Sequence, residues 1–320
     1  MKVAIALLLA VAALTAVTLW KARAHETRAE AEWPPKGQFV TVDGIRVHAV
    51  VMGPQDAPDL VLIHGASGNT RDMTYHLAPA LAGAYRVIVL DRPGLGHTGR
   101  VGTGGATITE QATLLQGAAA ALGADRPIVL GHSYGGAVAL AWAVTRPDTL
   151  SALVSVAGAA KPWDSALPTL YKVLSHPVLG PVAAPLITAW VPDSYVMGAV
   201  AEIFAPQEPP EGYLSHVGPG LTLRRDTLRE NALQRAGLLA EIEALHTRYD
   251  EIGVPVEIVH GTADTTVGLS IHARPLAEQV PGADLTVLDG IGHMPHHSAP
   301  DAVIDAIHRA AARAGLRPRG

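Results

Sequence analysis

The run Gly131-His132-Ser133-Tyr134-Gly135-Gly136 carries a hydroxyl at a spacing that only a tight turn can use. It follows the apolar stretch Ile128-Val129-Leu130 and precedes Ala137 to Trp142, which reads as a buried helix. A serine between strand and helix is lifted clear of the backbone and held at dihedrals that L residues avoid. Side chains at 131 and 135 would collide with the neighbouring helix and strand, so both positions want glycine. A serine hydroxyl is a poor nucleophile near neutral pH. It needs a base to take its proton, and the base needs an orienting acid. His293, in Gly290-Ile291-Gly292-His293-Met294, supplies the base. Asp264, in His260-Gly261-Thr262-Ala263-Asp264-Thr265-Thr266-Val267, supplies the acid, with Asp91 and Asp289 as the alternatives. The charge that develops on an attacked carbonyl oxygen needs donors. The natural pair is the backbone N–H of Tyr134 and that of Ala66, in His64-Gly65-Ala66-Ser67-Gly68.

These residues need a scaffold, and the chain supplies alternating strands and helices. Asp43-Gly44 between two alternating runs, 39–42 and 45–50, is a hairpin signal. Leu60 to Ile63 and Tyr85 to Leu90 are apolar without alternation, as strands covered on both faces are. Met73 to Leu81 reads as helix. Thr107 to Leu122 reads as a helix opened by a Thr107–Glu110 capping box and closed by Gly123. Ala152 to Val156 is another strand. The rhythm breaks at Lys161-Pro162-Trp163 and resumes with the strand Val256 to Val259, a helix near Ile271 to Gln279, the strand Leu285 to Leu288 and a helix from Ser298 to Ala314. An interruption of roughly 85 residues is too long for a loop. It reads as a helical lid, with a helix over Arg224 to His246. Ser133, Asp264 and His293 then all lie at carboxyl ends of strands, where open α/β sheets place their sites. Trp163, Trp190 and Met197 are the candidates for the underside of the lid, lining a substrate pocket. The apolar, proline-broken segment Pro177 to Val191 reads as a buried lid helix, with contact to a membrane or an acyl chain as the alternative.

Bulk composition bounds the remaining choices. At 320 residues, 48% hydrophobic and 17% charged, the chain suits one large α/β domain with an insertion. A net charge of −5 provides no electrostatic footprint for nucleic acid. The absence of cysteine excludes disulfides, thiol catalysis and cysteine-based metal sites. At the N-terminus an uncharged run from Val3 to Trp20 precedes Lys21-Ala22-Arg23-Ala24-His25. As a helix it spans roughly 27 Å, close to the hydrocarbon thickness of a bilayer. Its length and the Trp20-Lys21 pair favour a retained single-span anchor over a cleaved signal with Ala22 and Ala24 at the cleavage site, which would make the enzyme periplasmic or secreted. Lys21, Arg23 and Arg28 outweigh Lys2 and the amino terminus, which favours a cytoplasmic enzyme domain. The polar stretch ending in Pro34-Pro35 reads as a linker that leaves anchor and enzyme independent. The expected organisation is an anchor or signal over residues 1–25, a linker over 26–38, a core over 39–160 and 248–318, and a helical cap over 161–247.

His64-Gly65, Asp91-Arg92-Pro93-Gly94-Leu95-Gly96, Gly131-x-Ser133-x-Gly135, Gly261 to Asp264 and Gly292-His293 together resemble the α/β-hydrolase superfamily, over roughly Phe39 to Ala314. The resemblance implies an α/β fold with an eight-stranded, mostly parallel sheet and a cap inserted after the sixth strand. It implies a capped, serine-nucleophile, esterase- or lipase-like enzyme, because the dehalogenase and epoxide-hydrolase branches use aspartate at that turn. The expected activity is cleavage of a small carboxylic ester with an apolar acyl group through an acyl-enzyme. Alternatives on the same fold are a perhydrolase, an acyltransferase, a carbon–carbon bond hydrolase, and a non-catalytic ligand receptor. No cofactor and no metal are expected. Gly94 to Gly99 matches a dinucleotide fingerprint only formally, because no helix start faces that turn. His293, His296 and His297 lack a nearby partner motif for a metal. Oligomeric state is not legible.

Overall fold

The computed structural model describes residues 1–316. Its centre is an eight-stranded sheet: β1 (Gln38–Val42), β2 (Ile45–Met52), β3 (Asp59–Ile63), β4 (Arg86–Leu90), β5 (Ile128–His132), β6 (Ala152–Val156), β7 (Val256–Gly261) and β8 (Asp284–Leu288). The spatial order is β1-β2-β4-β3-β5-β6-β7-β8. β2 runs antiparallel to both its neighbours, and every other pair is parallel. The Asp43-Gly44 turn forms as expected, with φ of 49° and 79° at its two residues. Parallel strands buried on both faces need helices on both faces. One face carries α4 (Ile108–Ala121), α5 (Tyr134–Thr145) and α12 (Ala273–Gln279); the other carries α3 (Leu77–Leu81) and, after the short α13 (Pro295–Ser298), α14 (Pro300–Arg313). The Thr107–Glu110 capping box is present at the start of α4. Where a helix was expected from Met73 to Leu81, the chain makes α2 (Thr70–Thr74) and α3, separated by a break at Tyr75–His76.

The regular structure of the interruption after β6 is all helix: α6 (Thr169–Ser175), α7 (Leu179–Trp190), α8 (Asp193–Phe204), α9 (Tyr213–Val217), α10 (Pro219–Thr222) and α11 (Arg225–Leu245). The end of α11 returns to the core, where Leu238, Ile242 and Leu245 join the cluster beneath α5.

The N-terminus departs from the expected division into anchor and linker. A single helix, α1, runs from Lys2 to Glu32. It is the one helix among the described residues that is by itself long and apolar enough to cross a membrane, a property it shares with signal sequences. Its polar end is rich in Glu, Ala and Arg, all good helix formers, and Pro34 follows only after Trp33. Tertiary contacts hold that end in place. Ala22 and Ala29 are buried, and Glu26 pairs with Arg225 at 2.7 Å. Trp33 occupies the space in front of Gly218 and Gly220, where a Cβ would meet its ring at 2.6–2.8 Å. The segment after it is pinned too: Arg71 Nη2 donates to the Pro34 carbonyl at 2.8 Å, and the Lys36 carbonyl accepts from His48 Nε2 at 2.7 Å. Residues 26–38 are therefore a docked element, not a linker.

Candidate active site

The turn at Ser133 has the geometry its sequence demands. Ser133 has φ 53° and ψ −116°, and α5 begins at the next residue. A Cβ at Gly131 would meet the Gly135 carbonyl oxygen at 2.1 Å, and one at Gly135 would meet the Ile63 carbonyl oxygen at 2.4 Å. Glycine at both positions lets strand, turn and helix close up. The serine Oγ lies 2.9 Å from His293 Nε2, and His293 Nδ1 lies 2.8 Å from Asp264 Oδ2. The three residues come from the ends of β5, β8 and β7. All three are buried, Ser133 being 9% exposed. The arrangement can move a proton from the hydroxyl to the imidazole while a carboxylate fixes the ring.

Burial alone would push the Asp264 carboxyl up. His260 Nε2, 3.3 Å away, and His293 oppose this, as do the amides of Thr266 and Val267, which donate at 2.9 and 2.8 Å. Together they hold it far below the usual carboxylate range, so it is ionised whenever the site operates. The alternative acids are occupied elsewhere. Asp91 accepts from Thr70 N and His48 Nδ1, both at 2.6 Å, and from His97 N at 2.9 Å. Asp289 accepts from Thr262 Oγ1 at 3.1 Å. Gly94 to Gly99 wraps that same Asp91, and a Cβ at Gly96 would meet its carboxylate at 2.1 Å. The dinucleotide match is thus a structural loop, and α4 starts well beyond it.

Tyr134 is the first residue of α5, so its amide has no partner within the helix. The Ala66 amide belongs to a loop whose rigidity the sequence reading did not anticipate. Arg92 is fully buried and grips this loop: Nε donates to the His64 carbonyl at 3.0 Å and Nη2 to the Gly65 carbonyl at 2.9 Å. In a trans peptide the C=O and the following N–H point in opposite directions. Holding the Gly65 carbonyl toward Arg92 therefore turns the Ala66 N–H away from it. His64 helps. Its Nδ1–H donates to the Gly65 carbonyl at 2.9 Å and its Nε2 accepts from Arg92 N at 3.0 Å. Burial, reinforced by the Arg92 charge, pushes His64 down to about 4 and keeps it neutral. Arg92 is itself drawn down to about 10 by burial and is held by Gln111 and Gln234 at 3.0 and 2.7 Å. The cap completes the clamp, because Asn231 of α11 accepts from Ser67 N at 2.9 Å and donates to Ser67 Oγ at 3.0 Å.

Behind the triad lies a second group that sequence did not connect. His132 Nε2 donates to the His293 carbonyl at 2.9 Å. Asp72 of α2 accepts from His296 Nε2 at 3.2 Å, His297 Nε2 at 2.8 Å and Tyr213 OH at 2.7 Å. Burial would raise Asp72, but His296 and His297 hold it well below the carboxylate range. Among the described residues, Asp72, His132 and His296 are the group that could offer three donor atoms to a metal, all within 4.8 Å. Through these hydrogen bonds Asp72 braces the histidine loop, α2 and the cap together, while Nδ1 of His132 and of His296 is buried without a hydrogen-bond partner. Gln207, just after α8, adds to the brace by accepting from Gly292 N at 2.9 Å.

The three residues expected in a substrate pocket are scattered. Trp163 packs on the core beside His272, ring centres 5.8 Å apart. Trp190 and Met197 are 48% and 58% exposed and face α1. Trp190 donates to Thr18 Oγ1 at 3.1 Å, and Met197 lines a groove with His25 and Trp33. The docking of α1, invisible in the cap sequence, drew both residues outward. Met294, the residue after His293, packs into a buried apolar cluster with Phe204, Tyr213 and Val217.

Known proteins share this architecture. The pattern described as the alpha/beta hydrolase family matches residues 60–306. An uncharacterized protein of Mycobacterium tuberculosis is 26% identical over 288 residues, covering 86% of this chain and 81% of its own. The magnesium-chelatase 30 kDa subunit of Rhodobacter capsulatus is 25% identical, covering 85% and 94%. Among solved structures, a thermophilic esterase from Thermogutta terrifontis aligns with a TM-score of 0.69 at 22% identity, over 87% of this chain and 99% of its own. A membrane phospholipase A aligns with a TM-score of 0.66 at 21% identity, over 98% of this chain and 99% of its own. A match over most of the core, on a fold shared with esterases, places the chain plainly: it belongs to the alpha/beta hydrolase family.

Proposed function

We propose that the protein is a membrane-anchored serine hydrolase that cleaves a carboxylic ester with an apolar acyl group. The observation that carries this reading is the hydrogen-bonded chain Ser133–His293–Asp264, at 2.9 and 2.8 Å, on a strained turn. Ser133 Oγ attacks the ester carbonyl carbon while His293 Nε2 takes its proton. The carbonyl oxygen becomes an oxyanion held by the amides of Tyr134 and Ala66. Collapse breaks the ester C–O bond, and His293 returns the proton to the departing alcohol. Water then attacks acyl-Ser133 with the same proton relay and releases the acid.

The anchor reading draws support from the docking of α1. Cleavage after Ala24 would strip buried Thr18 and Ala22 from the cap. The alignment with a membrane phospholipase A extends over 98% of this chain, which favours lipid esters within the substrate class.

The test is labelling of the full chain in detergent with a fluorophosphonate, followed by hydrolysis of nitrophenyl esters of increasing chain length. Labelling and turnover are expected in the parent protein. Ser133→Ala should abolish labelling and lower kcat by about 10⁴–10⁶-fold. Equal turnover in that variant would overturn the serine mechanism in favour of another nucleophile, and absence of labelling and turnover in the parent protein would favour a receptor role.

A further inference from the structure

The helix α7 is built inside out. Its large apolar side chains, Leu179, Val182, Leu186 and Trp190, recur at a spacing that puts them on one face. That face is the outer one: they are 51%, 61%, 45% and 48% exposed, and Val178 just before them is 69% exposed. The opposite face carries Gly180, Ala184 and Thr188, all buried. These small residues let the helix press against the cap, and Thr188 Oγ1 donates to the Leu223 carbonyl at 2.7 Å. A helix at a water surface would show the reverse pattern. Small inward and large outward is the pattern of helices packed in lipid. No charge relieves it, because Lys172 is the one charged residue between Asp164 and Asp193. The buried lid helix expected from sequence is therefore half right, since α7 belongs to the cap but does not hide its apolar side.

The position of α7 says what covers that side. It packs directly on α1. Trp190 bonds to Thr18, and Lys21 Nζ sits 3.7 Å over its ring. Thr18, Trp20 and Lys21 mark the end of the apolar run of α1, where the run meets the headgroup region. Toward the start of α7, Pro181, Ala184 and Pro185 line one groove with Leu19, Arg23, Glu26 and Glu30 of α1. The end of α7 is fixed at the boundary between the apolar and polar parts of α1. A span that crosses a bilayer delivers this stripe to the bilayer surface.

We propose that α7 is a second membrane contact, lying in the interface with Leu179, Val182, Leu186 and Trp190 among the lipid acyl chains beside α1. This rests on the reading of α1 as a retained anchor. An in-plane helix of this kind buries its apolar face about 5–10 Å into the headgroup boundary. The cap over the serine is then held by lipid on its outer side and by α1 on its flank.

The absence of native cysteine makes the test direct. Val182→Cys, Leu186→Cys, Ile5→Cys in α1 and Arg248→Cys on the far surface are each labelled with an environment-sensitive fluorophore. The full chain is reconstituted into phosphatidylcholine–phosphatidylglycerol vesicles. Emission is quenched either by aqueous iodide or by phosphatidylcholine carrying a nitroxide near the headgroup. At positions 182 and 186 the expected result is blue-shifted emission, strong nitroxide quenching, and iodide quenching several-fold weaker than at 248. Iodide quenching equal to that at 248 would overturn the proposal. Shielding from both quenchers would also overturn it, in favour of a second copy of the chain. Position 5 separates the two readings. If it is lipid-exposed while 182 is open to iodide, only the α7 contact fails. If position 5 is itself open to iodide, the anchor fails.

Discussion

The helices α5 and α7 are both twelve residues long and both carry no charged side chain, yet they live in opposite surroundings. In α5 every residue from Tyr134 to Val144 is buried, between the sheet and α4. In α7 only Gly180, Ala184 and Thr188 are. Composition alone makes both look like core. The difference lies in what surrounds each helix. α5 follows the Ser133 turn and is sandwiched by layers that the βαβ rhythm guarantees. α7 sits at the edge of an insertion, with a neighbour on one side only. Apolarity shows that a helix avoids water, and only its neighbours show whether protein or something else replaces it.

The most severe way to probe the enclosed region is at the carboxylate that supports the imidazole. Asp264→Asn removes the charge and allows the wrong histidine tautomer, so kcat should fall by about 10⁴-fold with little change in KM. A full loss in Asp91→Asn or Asp289→Asn, with Asp264→Asn active, would reassign the acid. Next in size is the direct contrast between the two helices. Val138→Asp in α5 should cost more than about 4 kcal/mol and abolish folding, because the carboxylate has no partner there. Val182→Asp in α7 should leave the protein folded in detergent and lower its stability to urea far less than Val138→Asp, because no packed protein surrounds the new carboxylate. Equal destabilisation at the two positions would mean that the outer face of α7 is protein-covered.

A smaller effect is expected at Arg92, which holds the His64 and Gly65 carbonyls and, on the proposed mechanism, would position the Ala66 amide without touching a reacting atom. Arg92→Met releases the His64 and Gly65 carbonyls, so the Ala66 amide loses its fixed direction. For a short ester, kcat per fluorophosphonate-titrated site should fall roughly 10–100-fold at near-constant KM, less than the loss of a direct oxyanion donor. A variant that merely lowers the titratable fraction, with normal kcat per site, would reduce Arg92 to a packing role.

The gentlest perturbation is acid. His64, His272 and His296 are each pushed down to about 4, in every case chiefly by burial. Unfolded, each titrates near about 6.5. Between these values the unfolded chain binds protons that the folded chain refuses. Stability should therefore fall as pH drops from about 6.5 toward 4, by on the order of a few kcal/mol in all, and these groups contribute nothing above that window. His296→Gln should flatten the slope of the urea midpoint against pH. A midpoint that stays constant across the window would show that these histidines are not held neutral in the folded state.

Much of the molecule was decided by interactions within a few residues, and these are legible in the chain itself. The Asp43-Gly44 hairpin, the Thr107–Glu110 capping box and the glycines flanking Ser133 each follow from backbone sterics and short-range hydrogen bonds, which a few consecutive residue types specify. The strand–helix alternation likewise places Ser133, Asp264 and His293 at one edge of a sheet before any coordinate is consulted. Other features depended on partners far along the chain. Glu26 finds Arg225, Asp72 finds His296 and His297, and Arg92 finds two carbonyls and two glutamines. The chain itself carries no local mark of such pairs, because a buried charge is stabilised by whichever dipoles packing brings to it. The same holds for the polar half of α1, which looks like a linker until the cap docks against it. It holds too for the outward face of α7, since a helix has a solvent side only once its neighbours are in place.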